Sequence, residues 1–252
     1  MRLPLKNPKS GSNHIDTIVF DFDGTLADTL KSSLIAFEST LLQFHFELPK
    51  TLTKHIYGAF SIEGMFRYLG ISDSVLLSKM VFRYNELYRE IAPRIACLFP
   101  DVRFTLNLLK DCGFGLAIAT NELRENLDML LAIFGIDQIF DTTCCADEVK
   151  RPKPWPDMGE KVLLQTGATS ANTLMIGDSI CDIAMAKQTG MKACAVGWGG
   201  IPLHRLIESS PDWAINEIRQ LFHIVGTTQR VPDFNHALVK GTDRISETLL
   251  IR

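Results

Sequence analysis

Nothing in the sequence is apolar for long enough to cross a bilayer. Leu127 to Ile136 is broken by Asp128, and Phe114 to Ala119 is shorter still, where a membrane helix needs about 20 residues. No membrane association is therefore expected. Blocks of like charge are missing too: 26 Lys and Arg stand against 29 Asp and Glu, a net of −3, so a nucleic-acid polymer is not expected as a partner. The leading MRLPLKNPKSGSNH carries basic residues with no apolar stretch behind them, so no secretory signal is readable and a cytoplasmic location is expected. Six cysteines form no CxxC pair and no Cys/His ligand spacing, which favours reduced, core-filling thiols over a disulfide or zinc framework. The six histidines are scattered and make no constellation. Neither GxGxxG nor GxxxxGK[ST] occurs, so dehydrogenase-type or P-loop nucleotide binding finds no support.

What is present is an ordinary globular composition, 46% hydrophobic and 22% charged, over 252 residues. That length fits one large domain or a core carrying a smaller insert. Apolar runs at Thr17 to Asp21, Phe114 to Thr120, Phe140 to Cys145, Thr173 to Ile176, Met191 to Val196 and Trp213 to Ile215 read as strands. Helical patterns lie between the later ones: one starts at Pro100 and Asp101 and ends at Gly113, one capped by Asn121 ends at Gly135, one from Pro156 and Asp157 ends at Gly167. Such alternation predicts an α/β fold, a doubly wound parallel sheet with right-handed crossovers.

The alternation breaks once. From Thr29 to Pro93 no strand is readable, while Leu30, Leu34, Phe37, Leu41 and Phe44, and then Leu77, Val81, Tyr84, Tyr88 and Ile91, recur at helical spacing. The expected organisation is a core of residues 14–28 and 94–225, a helical insert over 29–93, and a tail over 226–252 whose role is unassigned. An insert placed after the first strand stands over the carboxyl ends of the strands, where open α/β sheets bind ligands.

Chemistry concentrates at strand ends. IVFDFDGTLADT delivers Asp21 and Asp23 into the turn after the first strand, where they can do different work: Asp21 as nucleophile and metal ligand, Asp23 as proton donor and acceptor. A bare DxD can equally cap a helix. Thr120 closes the second core strand, KPWPD places Lys153 ahead of a helix with Lys150 and Arg151 as close competitors, and GDSICD puts Asp178 after a strand and Asp182 in the helix that follows.

Those four motifs, in order, resemble the haloacid dehalogenase-like hydrolase superfamily: DxDGT at Asp21 to Thr25, a strand-ending Thr at Thr120, the Lys of KPxPD at Lys153, and GDxxxD at Gly177 to Asp182. The resemblance implies a Rossmann-like core with an inserted α-helical cap similar to that of phosphoglycolate phosphatases. It implies a Mg²⁺ ion held by Asp21, Asp178 and the backbone carbonyl of Asp23, with Asp182 orienting metal waters or Lys153. Thr120 and the backbone N–H of Asn121 would hold phosphate oxygens, and Lys153 would balance their charge. In the cap, Gly58, Ser61 and Arg67 of YGAFSIEGMFRYLG are the candidate substrate contacts; Trp198 of VGWGG reads as packing. The expected reaction is hydrolysis of a small phosphorylated metabolite such as phosphoglycolate, a sugar phosphate or a nucleotide monophosphate, through an aspartyl-phosphate, by a monomer or homodimer. The alternatives are a β-phosphoglucomutase-like phosphomutase, against which Thr25 speaks mildly, and a non-catalytic phosphometabolite-binding protein on the same fold.

Overall fold

A computed structural model describes residues 14–47, 61–226 and 249–250. Six short strands, β1 (Thr17–Phe20), β4 (Gly115–Ala119), β5 (Thr142–Cys144), β6 (Thr173–Gly177), β7 (Lys192–Val196) and β8 (Trp213–Ile215), make one parallel sheet in the order β5-β4-β1-β6-β7-β8. The two-residue β9 (Leu249–Leu250) runs antiparallel along β8.

Side chains alternate across the sheet because successive strand residues point to opposite faces. Ile18, Phe20, Leu116, Ile118, Leu174 and Ile176 face one side, where α4 (Val102–Asp111), α5 (Arg124–Phe134) and α9 (Leu221–Val225) pack. Val19, Ala117, Ala119, Met175, Ala193 and Ala195 face the other, against α6 (Asp157–Thr166), α7 (Ile180–Thr189) and α8 (Leu203–Glu208). Both faces are covered, as a parallel sheet requires. Among the described residues no helix is long and apolar enough to cross a membrane.

Between β1 and β4 lie α1 (Leu30–Gln43), α2 (Ile62–Tyr68) and α3 (Ser74–Ile95). Phe37 of α1 stacks on Phe66 of α2 at 4.8 Å, and Leu77, Met80, Tyr84 and Tyr88 of α3 are buried in the same cluster as the larger-residue face of the sheet. The helices join the sheet through a ribbon that periodicity could not reveal: β2 (Ala27–Asp28) pairs antiparallel with β3 (Cys97–Leu98).

Three local expectations need correction. Asn121 does not cap α5, which begins at Arg124 after Leu123; the Asn121 amide is turned instead to the Lys153 carbonyl, 3.1 Å away. The strand read over 140–145 is only Thr142–Cys144, since β5 is an edge strand pairing with β4 alone. All six thiols are free and four are buried, but Cys97 is exposed at the ribbon and Cys181 is only partly covered.

Candidate active site

Asp21 follows β1, Thr120 follows β4, and Asp178 follows β6. These strands are neighbours in register, Phe20 beside both Ile118 and Ile176, so their carboxyl ends open onto one place. The turn after β1 is tight: the Phe22 carbonyl accepts from the backbone N–H groups of Thr25, Leu26 and Ala27. Gly24 sits there at φ +78°, and a Cβ on it would lie 2.3 Å from Asp178 Oδ2. Only glycine fits that position.

Lys153, buried in the loop before α6, holds the centre. Its Nζ donates to Asp21 Oδ1 at 2.7 Å and to Asp182 Oδ1 at 2.6 Å. Asp182 is itself fixed, its Oδ2 accepting from the Ser179 backbone N–H at 3.0 Å and hydroxyl at 2.6 Å in the capping box of α7. Asp178 Oδ2 accepts from the Gly200 N–H at 2.8 Å. The carboxylates of Asp21, Asp178 and Asp182 offer oxygens within 4.8 Å of one another. Lys150 and Arg151, the competing cations, are exposed at the rim of the cavity; Arg151 is bonded to Asp157 and lies over the Trp155 ring.

Three buried carboxylates facing one ammonium leave an excess of negative charge. Burial, then Asp182, lifts Asp21 to about 7 although Lys153 opposes the shift; burial, then Asp21, raises Asp178 well above the usual carboxylate range. Burial disfavours the charged form of Lys153, but Asp182 and Asp21 outweigh it and its pKa is raised. This donor set, hard oxygens in surplus over the local cation, suits a divalent ion such as Mg²⁺.

Asp23 faces a different environment. Its Oδ1 accepts from the Thr29 hydroxyl at 2.6 Å and lies 3.5 Å from the Tyr88 hydroxyl. Burial, then the Glu122 carboxyl, lifts its pKa to about 7. Glu122 accepts from the Leu123 N–H and the Asn126 amide, both at 2.8 Å, and burial raises its pKa as well. Sequence reasoning misses Thr29, Tyr88 and Glu122, whereas Gly200 ends the VGWGG stretch. Glu122, directly after Thr120 and Asn121, carries a positional signal, and Tyr88 has the spacing of one apolar position among five.

Asp21, Asp23, Thr29, Ser61, Tyr84, Thr120, Asn121, Glu122, Lys153 and Asp178 line one cavity of ≈ 610 Å³ between the sheet ends and α1, α2 and α3. Thr120 Oγ1 accepts from the Glu122 N–H at 3.1 Å. Ser61 caps α2. Arg67 does not join the cavity: α2 buries Met65 and Phe66, so Arg67 lies outward, paired with Glu63 at 2.8 Å and half exposed. Gly58 lies outside the described residues.

The family model described as haloacid dehalogenase-like hydrolase matches residues 18–196. The chain is 35% identical over 231 residues to a Dickeya dadantii protein called probable phosphatase IndB, covering 88% of this chain and 94% of that one. It is 28% identical to the pyrophosphatase PpaX of Bacillus velezensis, covering 84% and 97%. A solved structure of a predicted phosphoglycolate phosphatase from Haemophilus somnus 129pt shares the fold, with a TM-score of 0.74, 24% identity, and 83% and 97% of the two chains covered.

Proposed function

Because the chain belongs to the haloacid dehalogenase-like hydrolase family, we propose that it is a Mg²⁺-dependent phosphatase that hydrolyses a small phosphorylated metabolite in two substitutions at phosphorus. Residues 29–93 act as the cap and residues 14–28 and 94–225 as the α/β core. Asp21 attacks phosphorus in line, an Asp–O–P bond forms, and the bond to the leaving oxygen breaks. Asp23 gives its proton to that oxygen. It then takes one from the water that attacks the aspartyl-phosphate, which releases inorganic phosphate and restores Asp21. Lys153 neutralises charge on Asp21 and on the phosphoryl oxygens, while Asp182 and Ser179 hold Lys153 in place. Thr120 and the Asn121 N–H bind the remaining oxygens, and Ser61 reaches the substrate from the cap. Asp21, Asp178 and the Asp23 carbonyl would hold the Mg²⁺, which when bound supplies the positive charge that lets an anionic nucleophile meet an anionic phosphate.

The observation that carries this reading is Lys153 bonded at once to Asp21 and Asp182 beside Asp178. The cavity volume suits a ligand of sugar-phosphate size. A panel of phosphorylated metabolites with released phosphate as readout, with and without Mg²⁺, tests it. Mg²⁺-dependent phosphate release from at least one of them is expected. No phosphate released anywhere, or an isomerised sugar phosphate in its place, overturns hydrolysis.

A further inference from the structure

Tyr88 is fully buried in the middle of α3, yet carries a polar hydroxyl that must find partners. Its partners belong to the opposite side of the cavity. The hydroxyl donates to Asp23 Oδ1 at 3.5 Å, and the Glu122 carboxyl lies near enough for its charge to raise the Tyr88 pKa further, after burial and Asp23 itself. Glu122 is anchored in turn by the Leu123 N–H and by Asn126, and Asn126 accepts Arg89 and donates to Asn85, both on α3. Thus a polar seam joins α3 to α5, and Tyr88 on the same α3 reaches Asp23. Tyr88 itself does not line the cavity; its stacking partner Tyr84, at 5.9 Å, does.

Both hydroxyls near Asp23, those of Thr29 and Tyr88, address the same oxygen, Oδ1. Among the described residues no side chain bonds Oδ2. We propose that Tyr88 is a positioning residue that, with Thr29, fixes the Asp23 carboxyl through Oδ1 and leaves Oδ2 as the atom that exchanges the proton with the leaving oxygen. The inference rests on the reading of Asp23 as proton donor. It adds that the contact of α3 with α5 sets where the Tyr88 hydroxyl meets Asp23.

A loss of proton donation hurts basic leaving groups most, whereas a general loosening of the site hurts all of them alike. The test is therefore kcat/KM, which reports the first substitution, on phenyl phosphate and on p-nitrophenyl phosphate, for the wild type, Tyr88→Phe, Glu122→Gln and Asp23→Asn. Positioned proton donation is worth about 10²- to 10⁴-fold. Tyr88→Phe is expected to lower the phenyl to p-nitrophenyl ratio of kcat/KM by about tenfold, a share of that range, and Glu122→Gln to lower it in the same direction. Asp23→Asn should lower it further. If Asp23→Asn shifts the ratio and neither Tyr88→Phe nor Glu122→Gln does, the positioning role is wrong while the proton-donor reading stands. If Asp23→Asn leaves the ratio where it was, that reading itself fails. Glu122→Gln changes the carboxyl whose charge acts on both Tyr88 and Asp23, so an unstable Tyr88→Phe protein does not remove the test.

Discussion

Asp21 and Asp23 stand two residues apart, and both are lifted to about 7 chiefly by burial, yet their surroundings are opposite in kind. Around Asp21 the neighbours are charged: Lys153 in a loop, Asp178 after a strand and Asp182 in the first turn of α7. Around Asp23, among the described residues, no cation is in hydrogen-bond contact; the hydroxyls of Thr29 and Tyr88 touch it and, behind them, stand the carboxyl and amides of Glu122, Asn126 and Asn85. On the proposed mechanism Asp21 must attack as an anion, and the positive charge of Lys153 and of the divalent ion favours that form against burial and the neighbouring carboxylates. A cluster of hydroxyls and amides tolerates either protonation state, which is what a group that gives and regains a proton needs. One tight turn serves both because the side chains meet different partners, Lys153 and the carboxylates beside it for Asp21 and the hydroxyls of Thr29 and Tyr88 for Asp23.

That contrast breaks most severely at Asp21. Asp21→Asn is expected to abolish turnover and the trapping of a covalent phosphoenzyme from ³²P-labelled substrate. Without Mg²⁺, the same variant is expected to melt no lower than the wild type, since it removes one of three carboxylates facing a single lysine. A residual rate within tenfold of wild type would show that another group attacks phosphorus.

Lys153→Met should be the converse. It leaves Asp21 and Asp182 buried without their cation, and removing one partner of a buried ion pair costs about 3 kcal/mol, readable in urea unfolding of the metal-free protein. Activity falls with it, by about 10²- to 10³-fold if Lys153 stabilises developing charge as an oxyanion donor does. Equal stability of the two proteins would mean that the cluster is not held by its lysine.

Thr29→Val tests the uncharged cluster, and the effect expected is smaller. Thr29 is buried, and its loss leaves Asp23 Oδ1 short of its 2.6 Å bond. A lost neutral partner of this sort costs about 1 to 2 kcal/mol in unfolding free energy. A cost as large as that of Lys153→Met would erase the distinction between the two sites.

How much of this could be read from the sequence follows from the range of the interactions. The strands and the punctuated helices were legible because alternation, glycine stops and apolar runs are local signals. Asp21, Thr120 and Asp178 were legible because each sits at a strand end, and parallel strands in register bring such ends together; Lys153 was legible from the KPxPD string ahead of a helix. The β2–β3 ribbon was not, since two residues per strand carry no period. Tyr88 looked like Leu77 and Tyr84, one more apolar tooth on a helix; what its hydroxyl meets is set by how α3 lies on α5, across 65 residues of chain from Asp23. Arg67 illustrates the reverse case. Its place in the motif was readable, but whether it faces the cavity depends on which side of α2 is buried, and Met65 and Phe66 turn it to solvent.

The smallest effect is expected outside both clusters, on the far side of the same α5 start that supplies Glu122. Arg124 bonds Glu148 through two nitrogens, at 3.1 and 3.0 Å, and also Asp128 and Thr143. These bonds hold Glu148 at about 2, below its ordinary 4.5. A carboxyl whose folded pKa is depressed lends stability that is complete above pH 4.5 and disappears as the pH falls towards 2. Arg124→Gln should therefore melt lower than wild type at pH 7, and the gap should narrow between about pH 4.5 and 2. The gap stays small because both partners are more than a quarter exposed and water screens them. The ratio of kcat/KM on the two aryl phosphates should match that of the wild type, since Arg124 touches neither Asp23 nor the groups that hold it. A changed ratio would mean that the start of α5 moves as a unit, so that a charge on its outer side reaches Asp23 through Glu122.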